Sequence, residues 1–107
     1  LHISTHQGLD REFGSDHTLA GLARTMTNIP VIACGKLEDP ATAERLLAEG
    51  EADLVAMARG AIGDPSWPRK LAQGETPLPF DPDMISPFAT LDATSAWRAA
   101  HGVAFEA

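Results

Sequence analysis

Two short segments of this sequence combine glycine with a positive charge, a pattern that suits an anion. Gly35-Lys36 and Ala58-Arg59-Gly60 each follow an apolar run. Glycine lets a ligand approach backbone N–H groups, and Lys or Arg adds positive charge. The alternative is an ordinary turn glycine beside a solvated charge, because the chain has no complete phosphate-loop or dinucleotide-binding glycine motif.

The apolar runs themselves are predicted to be strands. Residues 1–5 alternate apolar and polar side chains, which is typical of a short strand. Residues 29–34 and 54–57 are continuous apolar runs, which favour strands buried on both faces. Since ligands bind at the carboxyl ends of parallel strands, the Gly-Lys and Ala-Arg segments stand where a ligand is expected.

Helical patterns alternate with these strands. Apolar residues at positions 19, 22, 23 and 26 predict a helix that starts at Ser15 or Asp16 as N-cap, ends near Asn28 and has Met26 on its apolar face. Asp39-Pro40 predicts the start of a second helix, since Asp caps backbone N–H groups and Pro suits the first helical position.

Asp64-Pro65 repeats the Asp-Pro pattern and predicts a third, short helix that ends at Gly74. The sequence then changes character, because four prolines between positions 77 and 87 prevent regular helix or central strand. We predict an extended Pro-rich tail over residues 75–107, with a short helix at about 92–101.

The resulting order predicts an α/β fold with parallel strands. A (β/α)8 barrel of about 250 residues has roughly 31 residues per unit, so three units need roughly 94. We therefore expect residues 1–74 to form the last three βα units of a TIM barrel, a partial domain. Three strands alone leave two apolar edges, which soluble proteins avoid. We expect the missing strands to come from an earlier part of a longer chain or from another copy.

Composition excludes several function classes. The chain has 107 residues, and its 8 Lys+Arg against 15 Asp+Glu give a net charge of −7, which argues against a nucleic-acid surface. No apolar run approaches the about 20 residues of a membrane span. The single cysteine excludes an internal disulfide and favours a reducing, cytoplasmic location. No His, Asp or Glu set has the spacing of a metal site, so no metal is expected.

Residues 29–50, which begin IPVIACGKLEDP, and residues 52–70, which begin ADLVAMARGAIGDP, resemble the C-terminal part of the old yellow enzyme family. The similarity extends over about residues 1–71. The resemblance implies an FMN-dependent NADH:flavin oxidoreductase or ene-reductase on a (β/α)8 barrel, with NAD(P)H as reductant and a small-molecule acceptor.

The resemblance also implies roles for particular residues. Gly35, Lys36, Ala58 and Arg59 would hold the FMN phosphate, with the Arg59 guanidinium also near the flavin. The family usually has glycine where this chain has Ala58, which leaves the detail of that contact open. His6, in the loop after the first strand, is a candidate for contact with substrate or nicotinamide; the alternative is an ordinary polar loop residue.

Much of the family's catalytic apparatus is not in these residues. In the family, the substrate-binding His/His or His/Asn pair and the proton-donating tyrosine lie on earlier strands, and this chain contains no tyrosine. We therefore expect the 107 residues alone to be inactive, and the tail to reach a neighbouring subunit if the protein is a homo-oligomer. The alternatives are a non-catalytic phosphate-binding or assembly module and a flavin-free phosphate-binding barrel enzyme.

Overall fold

The computed structural model describes residues 1–104 and shows strands and helices that alternate along the chain. The elements in order are β1 (His2–Ser4), α1 (Leu19–Met26), β2 (Ile32–Cys34), α2 (Pro40–Ala48), β3 (Leu54–Ala56), α3 (Arg59–Gly63), α4 (Trp67–Ala72), a 3-10 helix (Pro82–Ile85) and α5 (Leu91–Ala100).

The three strands form one parallel sheet in the order β1-β2-β3. His2 pairs with Ile32, and Ile32 pairs with Leu54. The α/β class and the parallel pairing predicted from the alternating pattern are therefore confirmed. Because all three strands run in the same direction, their carboxyl ends lie at the same end of the sheet.

Two compact units make up the chain: Leu1–Met57, which contains the sheet, and a second that begins at Ala58. The core of the first unit lies around β2. Its buried apolar residues are Ala20, Val31, Ala33, Leu37, Leu46 and Ala52. The boundary predicted after residue 74 stays a prediction, and the last three residues of the predicted tail lie outside the described residues.

Strand burial is less complete than the apolar runs predicted. Of the three residues in β2, only Ala33 is buried, and Leu54 in β3 is 51% exposed. The exposure of Leu54 follows from the place of β3 at an edge of this sheet, where it has a neighbouring strand on one side only. Met26, predicted on the apolar face of α1, is 80% exposed, since α1 packs through Ala20 and Gly21 instead.

The start of α1 also differs from the prediction. Thr18, not Ser15 or Asp16, is the N-cap, and its hydroxyl accepts a hydrogen bond from Gly21 N at 3.1 Å. The reason is a tertiary contact that the sequence does not show. The buried Glu51 carboxylate accepts hydrogen bonds from both the backbone N–H and the hydroxyl of Thr18, each at 2.9 Å.

The second helix begins as the Asp39-Pro40 signal predicted. The Asp39 carboxylate accepts from Thr42 N at 2.8 Å, and Pro40 is the first helical residue. Gly50, with φ +74°, follows the C-cap residue Glu49. Local capping chemistry fixes both ends of α2.

The short helix predicted after Asp64-Pro65 and before Gly74 is observed as α4, but its N-cap is Ser66 and the capping role predicted for Asp64 is wrong. A helix that was not predicted, α3, ends at this point, and Asp64 is its C-cap. The buried Asp64 carboxylate accepts from Ser66 N (3.0 Å), Lys70 Nζ (2.8 Å) and Leu78 N (2.8 Å). Asp64 therefore joins the end of α3, the helix α4 and the proline-rich segment, instead of capping the next helix.

The predicted tail contains regular structure. A 3-10 helix interrupts the proline-rich segment, and α5 packs against it within the second unit. The expected helix at about 92–101 is observed as Leu91–Ala100. With ten residues, α5 is the longest helix in the described part of the chain, so none there reaches the length of a membrane span.

Candidate functional site

The end of β2 is built around Gly35, which has φ +137°. Its carbonyl oxygen accepts from Gly8 N at 2.8 Å, and the Cys34 carbonyl accepts from Thr5 N at 3.0 Å. A Cβ at Gly35 would overlap the Thr5 carbonyl oxygen and lie 3.0 Å from Gly8 N. Only glycine fits this position, because both the backbone angle and the close approach of the first loop exclude a side chain.

Lys36 follows with φ +51°, an uncommon angle for a residue other than glycine. Its side chain is exposed. Neither its ammonium group nor its backbone N–H has a hydrogen-bond or ion-pair partner within residues 1–104. The end of β2 thus presents an uncommitted positive charge and an uncommitted backbone donor side by side.

The segment after β3 has a similar composition. Ala58 is the N-cap of α3, has φ −107° and makes no side-chain cap. Since that angle is ordinary for an L residue, the Ala58 methyl group causes no backbone strain. Arg59, the first residue of α3, is exposed and has no hydrogen-bond or ion-pair partner among the described residues.

Hydrogen bonds unite part of the predicted site. The loop that contains His6 is joined to Gly35 through Gly8 N, so the loops that follow β1 and β2 are in direct contact. His6 itself is exposed. Gly35 and Lys36 belong to the first unit, whereas Ala58 and Arg59 begin the second.

Two buried acidic side chains, Glu51 and Asp64, are already engaged in hydrogen bonds. Burial alone raises the pKa of Glu51, but hydrogen bonds from His17 and Thr18 outweigh it and hold the pKa below its ordinary value. Burial likewise raises the pKa of Asp64, and the hydrogen bonds from Lys70 and two backbone N–H groups reverse the effect. Both carboxylates therefore stay ionised and structural at neutral pH.

A cavity of about 370 Å³ in the first unit lies elsewhere. Pro30 and Asp53 line it, and they precede β2 and β3, so it lies at the amino ends of these strands. Its main polar groups are paired, because Arg24 Nη2 lies 2.9 Å from Asp53 Oδ1 and Asp53 also accepts from Val31 N. The cavity is therefore separate from the carboxyl ends of the strands, where the predicted site residues of the first unit lie.

The residues after β2 fit a phosphate group by their chemistry. Phosphate oxygens accept hydrogen bonds from backbone N–H groups and from Lys or Arg, and Lys36 offers both kinds of donor. By contrast, no group of three or more His, Cys, Asp or Glu within residues 1–104 could hold a metal ion. The sequence predicts Gly35, Lys36, Ala58 and Arg59 as phosphate-binding residues, and this stays a prediction. Nothing in the sequence indicates that Arg98 is buried, because its burial depends on tertiary packing.

Comparison with known proteins shows which family this chain resembles. The sequence profile of the NADH:flavin oxidoreductase / NADH oxidase family matches residues 4–77. The chain is 48% identical over 56 residues to an NADH oxidase of Thermoanaerobacter brockii, covering 52% of this chain and 9% of that protein. It is 42% identical over 60 residues to a metal reductase of Desulforamulus reducens, covering 56% and 8%.

A probable N-methylproline demethylase of Rhizobium meliloti is 35% identical over 79 residues, which covers 67% of this chain and 12% of that protein. The chain thus spans about a tenth of the length of the curated relatives it matches. The family implies FMN and NAD(P)H as cofactor and reductant. Because the profile covers more than half of the residues, including both strand-end segments, the chain belongs to the NADH:flavin oxidoreductase / NADH oxidase family.

Proposed function

We propose that this chain supplies the last three βα units of the (β/α)8 barrel of an FMN-dependent NAD(P)H oxidoreductase of the old yellow enzyme type. In this proposal Gly35, Lys36, Ala58 and Arg59 hold the FMN phosphate. The loops after the last two strands of such barrels frequently form a phosphate site. The units β2-α2 and β3-α3 would be those last two.

One observation carries the proposal. Lys36 and Arg59 follow the carboxyl ends of two adjacent parallel strands, and neither cation has a partner within residues 1–104. In a chain with a net charge of −7, carboxylates are plentiful, yet these two side chains pair with none of those described. A dianionic phosphate is the ligand that two such cations and their backbone donors would recognise.

Each residue has a distinct task in this account. The backbone N–H groups of Gly35 and Lys36 would donate hydrogen bonds to the phosphate oxygens, and the Lys36 ammonium and Arg59 guanidinium would neutralise the phosphate charge. Bound there, FMN would supply hydride transfer from NAD(P)H to an acceptor, for which we propose an activated alkene. His6 stands in the loop that Gly8 ties to Gly35, and we propose that it contacts substrate or nicotinamide.

The two sheet edges complete the proposal. The strands β1 and β3 each have one neighbour in this sheet, and Leu54 on β3 is half exposed. Exposed apolar strand edges are prone to pair with other strands. We propose that preceding strands of a longer chain cover them, with a second copy as the other possibility, and that the 107 residues alone do not turn over.

The test uses the full-length protein that carries these residues. It should purify yellow, show a flavin absorption spectrum that NAD(P)H bleaches, and release FMN on denaturation. Arg59→Ala should weaken FMN binding about tenfold, since a hydrogen bond to a charged group contributes about 1.5–3 kcal/mol and Arg59 is exposed. Arg45→Ala, which removes an exposed arginine from α2, is the matched control and should bind FMN normally. A colourless protein that takes up no FMN would overturn the proposal.

A further inference from the structure

Arg98 on α5 is an arginine in an unusual position. It is 5% exposed, although arginine is rarely buried this far. Its Nη2 donates to the carbonyl oxygens of Ile62 at 3.1 Å and Gly63 at 2.9 Å. These carbonyls belong to the last turn of α3, where a helix leaves acceptors without intrahelical partners. The guanidinium of α5 thus caps the carboxyl end of α3.

The same end of α3 is confined from a second direction. A Cβ at Gly63 would lie 2.9 Å from Phe80 N, closer than real Cβ contacts, and 3.0 Å from Phe80 Cα. The proline-rich segment and Arg98 therefore clamp one end of a helix that has five residues. Five residues span only about 7–8 Å, so α3 cannot absorb a shift at one end and transmits it to the other.

The other end of α3 is Arg59. We propose that Arg98 is a positioning residue for the cofactor: by fixing the carboxyl end of α3, it sets where Ala58 and Arg59 meet the FMN phosphate. This inference rests on the proposed function. It assigns a role to α5, which lies outside the residues 4–77 that the family profile matches.

The experiment compares FMN with riboflavin, which has the same isoalloxazine ring but no phosphate. Apoprotein of the full-length Arg98→Met variant is titrated with each flavin. Met keeps the length and packing of the side chain but cannot donate to the two carbonyls. We expect FMN affinity to fall about tenfold and riboflavin affinity to stay within about twofold, because displaced phosphate contacts affect FMN alone.

Arg98→Lys and Gly63→Ala keep the test decisive if Arg98→Met does not fold. Lysine is a point charge without the planar fork, so we expect an FMN-specific loss of about threefold. Gly63→Ala pushes the same end of α3 away from Phe80 while Arg98 is retained, and it should give a comparable FMN-specific loss. Equal losses for both flavins, or wild-type FMN affinity in the variants that fold, would overturn the inference.

Arg59→Ala separates this inference from the proposed function. If Arg59→Ala weakens FMN binding and the Arg98 variants do not, only the positioning role fails. If Arg59→Ala leaves FMN binding unchanged, the phosphate site itself is wrong. Arg45→Gln, on the exposed face of α2, serves as the charge control and should leave both affinities unchanged.

Discussion

Replacing Gly35 with alanine tests how the end of β2 is built. Gly35 has φ +137°, and a Cβ there would overlap the Thr5 carbonyl oxygen and lie 2.9 Å from Thr5 Oγ1. Backbone strain of this kind costs about 1–3 kcal/mol. Moving the first loop away would also weaken the bond from Gly8 N to the Gly35 carbonyl, which contributes about 1 kcal/mol. We therefore expect Gly35→Ala to destabilise the full-length protein by roughly 2–4 kcal/mol.

Gly74→Ala provides the matched control. Gly74 also has a positive φ, +73°, but nothing lies within 4 Å of its Cβ position. The left-handed backbone of alanine at this position lowers the free energy of unfolding by about 1–2 kcal/mol. About 0.4–1 kcal/mol of this is regained, because alanine restricts the unfolded chain more than glycine does. Urea unfolding of both variants, followed by circular dichroism, measures the difference. If Gly35→Ala is no more destabilising than Gly74→Ala, the close contact between the first loop and Gly35 does not exist.

Two further predictions concern the buried carboxylates. Asp64→Ala removes the acceptor for Lys70 and two backbone N–H groups. We expect the free energy of unfolding, measured in urea, to fall by about 3 kcal/mol. This value is at the lower end for a broken buried ion pair, because Lys70 is partly exposed. A loss below about 1 kcal/mol would contradict the network. Glu51 has a pKa below its ordinary value of 4.5, so its contribution is complete above that value and is lost as the pH falls through the folded pKa. The stability gap between wild type and Glu51→Gln should therefore be present at pH 7 and shrink below pH 4.5; a gap that stays constant down to pH 3 would refute this role.

The sequence predicts best what depends on local chemistry. The start of α2 follows from Asp39-Pro40, because the cap and the fixed φ lie within a few residues of each other. The parallel order of the strands follows from the alternation of apolar runs and helical patterns. The strand-end residues Gly35 and Lys36 were identified for the same reason, since a glycine and a cation after an apolar run are visible without any tertiary information.

The sequence fails where a distant partner decides the outcome. Thr18 caps α1 because Glu51, 33 residues away, fixes its position. Asp64 looks like a helix start but accepts from Leu78, 14 residues away. The helix α3 was missed because Gly60 and Gly63 lower helix propensity, and the bonds from Arg98, 35 and 36 residues further on, hold its end.

The central claim is that Lys36 and Arg59 recognise the phosphate of FMN. The most direct test is the ratio of the dissociation constants for riboflavin and FMN, measured on the full-length apoprotein and on the Lys36→Ala/Arg59→Ala double variant. We predict that the wild-type protein prefers FMN by about a hundredfold or more and that the double variant loses most of this preference. A preference for FMN that survives the loss of both cations would contradict the claim.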